Sequence, residues 1–154
     1  MQKISFKAEV HWTQGMRGKI YIKNFDPIEI GIIKEFGGEE ILGPEDLFVS
    51  SVASCVLTTF LYFAKKYKLE YNKIIVDASG DVKRMEGGYY KFTKIDVKFK
   101  ISVPEESEFD IEECFNLTKK YCIISNTIKE CVPLNLTLEF LRWEHKFLSK
   151  RCGL

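Results

Sequence analysis

The sequence predicts an α+β fold, helices packed on antiparallel sheet, and three observations predict it. Strictly alternating apolar and polar residues lie on both sides of residues 43–68; that central stretch reads as one long apolar helix; and a second stretch beginning at Asp110 has helical spacing. The order is three strands, a long helix, two long strands, a helix and a strand.

Ile4, Phe6, Ala8, Val10 and Trp12 alternate with Lys3, Ser5, Lys7, Glu9 and His11, the pattern of a half-buried strand. Thr13 to Gly18 carries two glycines and reads as a hairpin turn, after which Ile20 and Ile22 resume the period. Arg17 therefore falls at the hairpin tip or at the start of the second strand. Asn24 to Pro27 is a further turn and Ile28 to Ile33 a short third strand, with Gly37-Gly38-Glu39-Glu40 a flexible acidic loop behind it.

Pro44 suits the first turn of a helix, Glu45 and Asp46 suit its positive end, and Lys65, Lys66 and Lys68 suit its negative end. No charged residue lies between Leu47 and Ala64, which predicts a helix buried on most sides. The same stretch is about long enough to span a bilayer. Its Ser50, Ser51, Ser54, Thr58 and Thr59, and the alternating strands around it, favour a soluble core helix with no membrane.

Beyond it, Ile74, Val76, Ala78, Gly80 and Val82 share one parity, Glu86-Gly87-Gly88 supplies hairpin residues, and Ile95, Val97, Phe99 and Ile101 form the most regular strand. Asp110 with Glu113 resembles a capping box, and Ile111, Cys114, Phe115, Thr118 and Cys122 follow at helical spacing, which puts Cys122 on the same face as Ile111 and Phe115. A short helical piece from Ser125 to Cys131 leads to a last strand through Leu134, Leu136, Leu138 and Phe140.

A chain of 154 residues with 45% apolar and 29% charged residues suits one globular domain over residues 1–154. A formal net charge of +1 and the lack of long basic runs give no nucleic-acid footprint. The N-terminus alternates instead of forming an apolar signal core, so a cytoplasmic location is expected.

In a reducing compartment Cys55, Cys114, Cys122, Cys131 and Cys152 form no disulfide scaffold, and their wide spacings do not suit zinc. Redox or nucleophilic chemistry remains, beside plain burial as small apolar residues. Cys55 in the long helix and Cys122 in the second could meet if those helices pack together, or both could simply be core. Cys114 and Cys131 are expected in the core, Cys152 in the tail without a role. His11 and His145 read as structural or exposed groups rather than ligands. Phe48, Phe60 and Tyr121 are candidates to wall an apolar pocket. Without further context Arg17 reads as a solvated charge and Glu45 as a helix-start residue.

Pro44-Glu45-Asp46-Leu47-Phe48 followed by Ala53-Ser54-Cys55 resembles the central-helix signature of the OsmC/Ohr family of peroxide-handling proteins. Cys122-Ile123-Ile124-Ser125 resembles its second-cysteine motif, with Ile123 where a proline often stands. The element order agrees to Phe140, leaving residues 142–154 outside the resemblance. The resemblance implies an intertwined α+β homodimer that reduces organic hydroperoxides to alcohols, with Cys55 as the peroxidatic and Cys122 as the resolving cysteine.

It also implies roles for Arg17, beside the reacting thiolate, and for Glu45, holding that guanidinium by a bidentate pair. No cofactor or metal is implied, only an external dithiol or thiol reductant. Ten residues of helix rise about 15 Å, so Glu45 and Cys55 of one helix cannot line one small site. If both serve it, Arg17 and Glu45 come from the partner subunit. The competing expectations are a binder of small lipophilic ligands or a redox sensor on the same fold.

Overall fold

The computed structural model describes residues 3–143. The expectations for His145, Cys152 and the tail from residue 144 lie outside them. The chain forms two compact units that divide after Phe48.

The first unit holds strands β1 (Glu9–Gln14), β2 (Arg17–Tyr21) and β3 (Ile28–Gly31), antiparallel and in that spatial order. Gly15, at φ 49°, turns β1 into β2, so Arg17 opens the second strand. The register sets Val10, Ile20 and Ile28 in one row and Trp12, Gly18 and Ile30 in the next, giving the sheet an apolar face. The alternation is as expected, but the strand begins only at Glu9 and every residue of β1 is exposed, Trp12 at 75%. Periodicity reports which side of a strand is apolar; it does not report whether the same chain covers that side.

A 3-10 turn at Lys34–Phe36 ends at Gly37, φ 84°, and the chain folds back on itself at Gly38. Helix α1 (Pro44–Tyr67) follows. Its start is fixed by Asp46, whose carboxylate accepts the Gly43 N–H at 2.8 Å.

Within the second unit, strands β4 (Lys73–Arg84), β5 (Tyr90–Ser102) and β6 (Leu134–Leu141) form one sheet, and β5 is central. The β4–β5 hairpin is antiparallel, closed by Gly87 and Gly88 at positive φ. Strand β6 pairs with β5 in parallel, so this sheet is mixed where an antiparallel one was expected. The cause is the connection: β5 leaves through α2 (Glu108–Tyr121) and α3 (Ile123–Ile128), and such a crossover returns the chain in the same direction. Helix α2 begins two residues before Asp110, so the expected capping box does not form, and its N-cap residue Ser107 makes no side-chain bond.

Phe99 of β5 joins the layers, its ring 4.6 Å from that of Phe60 on α1 and 5.5 Å from that of Phe115 on α2. The Cys114 thiol donates to the Phe60 carbonyl at 3.8 Å, a direct link between the two helices.

Helix α1 is less enclosed than its composition predicts. Val52, Val56, Phe60 and Ala64 form a fully buried stripe at four-residue spacing, while Ser50, Ser54, Thr58 and Tyr62 form an exposed one. The exposed hydroxyls are satisfied locally, Thr58 donating to the Ser54 carbonyl at 2.9 Å and Ser54 to that of Ser51 at 3.2 Å. By length and composition α1 could cross a bilayer. Its buried stripe is instead packed on Phe99 and Cys114, the setting of a core helix.

Candidate active site

Cys122 lies one residue past the end of α2, at φ −63° and ψ 113°, rather than on that helix's inner face as expected. Its N–H donates to the Thr118 carbonyl at 2.9 Å and its carbonyl accepts the Asn126 N–H at 3.0 Å, so one residue closes α2 and opens α3. Ile123, where the resemblance leads one to look for proline, is the first residue of α3 and is exposed. That position tolerates proline because its N–H has no helical partner, and here the extended backbone of Cys122 stands without it.

The α1–α2 contact brings Cys55 against Cys122. The two side chains interact, both thiols are free, and Cys122 is fully buried while Cys55 is half-buried. Burial is the main influence on the Cys122 thiol and pushes its pKa up; the Ser125 hydroxyl and N–H pull it down, and Cys55 adds a further push upward. The Ser125 hydroxyl donates to the Cys122 sulfur at 3.1 Å. The Thr59 hydroxyl lies 4.0 Å from the Cys55 sulfur.

Cys55 opens on a groove of about 610 Å³ walled by Thr59, Tyr62, Tyr121 and Ile123 and extending to Lys66. Of the three aromatic candidates Tyr121 is a wall, Phe60 is wholly core, and Phe48 is not among the lining residues. Cys114 is buried as expected, its thiol pushed up to about 11 by desolvation. Cys131 was expected in the core and is exposed, because it follows α3 in the turn before β6. His11 is exposed and lies 3.2 Å from Glu9. Among the described residues no cluster of His, Cys, Asp and Glu could hold a metal ion.

Arg17 and Glu45 share the wall of a separate, mostly apolar cavity of about 440 Å³ in the first unit, with Trp12 and Phe36. The bidentate partner of Arg17 in the chain is Glu39, not Glu45: Nε donates to one oxygen at 3.3 Å and Nη2 to the other. Glu29 lies 3.6 Å from Nη1. The hydrogen bond from Arg17 and its positive charge hold the Glu39 carboxyl below its usual range. Composition could show only that Glu39 sits in an acidic loop, and Ser125 only that it follows Cys122 by three residues.

A family model described as OsmC-like protein matches residues 37–137. The chain belongs to the OsmC-like family. Among solved structures, the OsmC-like protein from Mycoplasma pneumoniae matches with a TM-score of 0.79 and 19% identity, covering 92% of this chain and 100% of that one. An organic hydroperoxide resistance protein OsmC from Legionella pneumophila matches at 0.74 and 18%, covering 90% and 99%. The organic hydroperoxide resistance protein OhrB of Bacillus subtilis matches at 0.62 and 21%, covering 87% and 98%. At these identities the likeness is one of fold. No curated protein matches the chain. In this chain the packing of α1 on α2 brings the two free cysteines together.

Proposed function

We propose that this OsmC-like protein is a thiol peroxidase that reduces organic hydroperoxides to alcohols. The observation that carries the reading is the asymmetric pair: Cys55 reaches a mainly apolar groove, and Cys122, buried with the Ser125 hydroxyl on its sulfur, interacts with Cys55. The Cys55 thiolate attacks the distal oxygen of ROOH; the O–O bond breaks, and RO⁻ takes a proton to leave as ROH. Cys55 is left as a sulfenic acid, which condenses with the Cys122 thiol to form a disulfide and release water. An external dithiol supplies two electrons and two protons to restore both thiols. The hydroperoxide resistance proteins with the same fold support the substrate class.

Arg17 and Glu45 enter as residues of a partner subunit, Arg17 raising the thiolate fraction and steadying the departing alkoxide. The exposed apolar residues Val10 and Trp12 and the half-open flanks of α1 support a homodimer, since such surfaces gain by mutual burial.

The test is one equivalent of cumene hydroperoxide on the reduced protein. Loss of two thiols, a Cys55–Cys122 linkage in the peptide map and sustained turnover with a dithiol are expected. An unreactive Cys55 would sink the reading, and oxidation without turnover under any reductant would favour a sensor instead.

A further inference from the structure

We infer that Glu39, assisted by Glu29, is the positioning residue of Arg17; in relation to catalysis this rests on the peroxidase reading above. All three guanidinium nitrogens face carboxylates: Nε and Nη2 meet Glu39, and Nη1 meets Glu29. A fork-to-fork pair fixes the plane of the guanidinium as well as its place, which a single point contact cannot do.

Surface ion pairs often hold nothing in position, because both side chains wander. Here the backbone of Glu39 is tied down. Its N–H donates to the Ile32 carbonyl at 2.9 Å, and Gly38 N–H donates to the Ile33 carbonyl at 3.0 Å. A Cβ on Gly38 would lie 1.7 Å from the Ile32 oxygen, so the chain passes there only without a side chain. The Ile32 N–H in turn donates to the Met16 carbonyl at 3.2 Å. One short segment thus holds both Glu39 and the residue preceding Arg17. Glu45 borders the same cavity but, among the described residues, makes no ion pair with Arg17.

The roles divide accordingly: Glu39 orients the guanidinium and leaves the Glu45 carboxylate free for other contacts in the cavity. The experiment compares the full-length protein with Glu39→Gln, Glu39→Asp and Glu45→Gln, following the Arg17 Nε–H signal by NMR, assigned by its loss in Arg17→Lys. The signal is expected to shift and exchange faster in Glu39→Gln and to hold its place in Glu45→Gln; the reverse pattern overturns the assignment. Cumene hydroperoxide consumption is expected to slow about tenfold in Glu39→Gln, the equivalent of about 1.4 kcal/mol, with unchanged thermal unfolding and part of the rate restored in Glu39→Asp. An unchanged rate alongside a perturbed signal overturns the catalytic part. If wild-type Cys55 does not react at all, the peroxidase reading falls, while the NMR comparison still decides between the two glutamates.

Discussion

The Ser125 hydroxyl donates to the Cys122 sulfur across 3.1 Å, at a residue that burial otherwise keeps in the neutral thiol form. Because a hydrogen bond to sulfur favours the thiolate, Ser125 would act, in the proposed peroxidase reaction, on disulfide formation by Cys122 rather than on the attack of Cys55. Ser125→Ala is expected to leave the reaction of Cys55 with hydroperoxide unchanged and to slow disulfide formation. For each tenfold loss of thiolate, the more basic sulfur regains about threefold in nucleophilicity, so each such loss leaves a net slowing of about threefold. Stopped-flow kinetics with sulfenic acid trapped by dimedone separates the two steps. A slowed first step would count against the division of roles.

The same burial fixes the sign of a pH effect. A thiol pushed upward is less ionised at neutral pH, so in the proposed reaction condensation of Cys122 with a Cys55 sulfenic acid is expected to accelerate as pH rises. The acceleration is expected to continue beyond about 8.5, where an ordinary thiol is half ionised. Single-turnover disulfide formation from pH 6 to 10 measures it. A plateau below the ordinary thiol range would show that Cys122 is more solvated than its burial indicates.

The buried Cys114 thiol makes stability depend on pH. Its folded-state pKa, about 11, lies above that of an unfolded thiol, so its contribution is fully present below about pH 8.5 and is lost as pH rises toward 11. Urea midpoints should fall across that window, and Cys114→Ala should flatten the fall while lowering the midpoint at neutral pH. An equally steep alkaline decline in the variant would assign it to other groups.

The aromatic contacts of Phe60 and Phe115 with Phe99 hold α1 and α2 in register, and with them the two cysteines. Phe60→Ala is expected to cost about 3–5 kcal/mol, the usual price of an emptied aromatic site. Urea unfolding measures this. A cost below about 1 kcal/mol would mean that the surroundings collapse into the space.

Much of this arrangement is legible in the residues themselves. Pro44 and the lysines after Ala64 mark the ends of α1, and the parity of Ile95 to Ile101 identifies the strand at the centre of the second sheet. Three things are not legible, each for a physical reason. The direction of β6 depends on how a crossover returns, which alternation does not encode. Cys122 keeps helical spacing with Ile111 and Phe115 although the helix ends at Tyr121, because spacing continues smoothly across a junction between two helices. The pairing of Arg17 with Glu39 rather than Glu45 depends on a fold-back at Gly38, a constraint visible only where a missing side chain makes room for a carbonyl.

That fold-back can be tested against its neighbour. Gly37 has a positive φ and open space around it, so Gly37→Ala should cost about 1–2 kcal/mol for the backbone alone. At Gly38 any Cβ meets the Ile32 carbonyl, and Gly38→Ala must displace the loop that carries Glu39. The expected result is a larger loss in thermal stability and an altered Arg17 environment in Gly38→Ala only. Equal effects at both positions would remove the structural basis for a fixed Glu39.

If Arg17 acts on the partner's Cys55, neither Cys55→Ser nor Arg17→Gln homodimers should retain appreciable activity, yet a mixture of the two should regain some. After subunit exchange a heterodimer combines an intact Cys55 from the Arg17→Gln chain with an intact Arg17 from the Cys55→Ser chain, rebuilding one site and leaving the other doubly defective. Random exchange of equal amounts makes half the dimers mixed, each with one working site of two, so about a quarter of wild-type activity is expected. Complementation of this kind cannot arise if both groups serve the site of their own chain, since no mixture then contains an intact pair. Hydroperoxide turnover after mixing, with dimer exchange confirmed by mass spectrometry, makes the distinction. A mixture no more active than its components would confine Arg17 to its own subunit and break the argument that the helix separation of Glu45 and Cys55 supports.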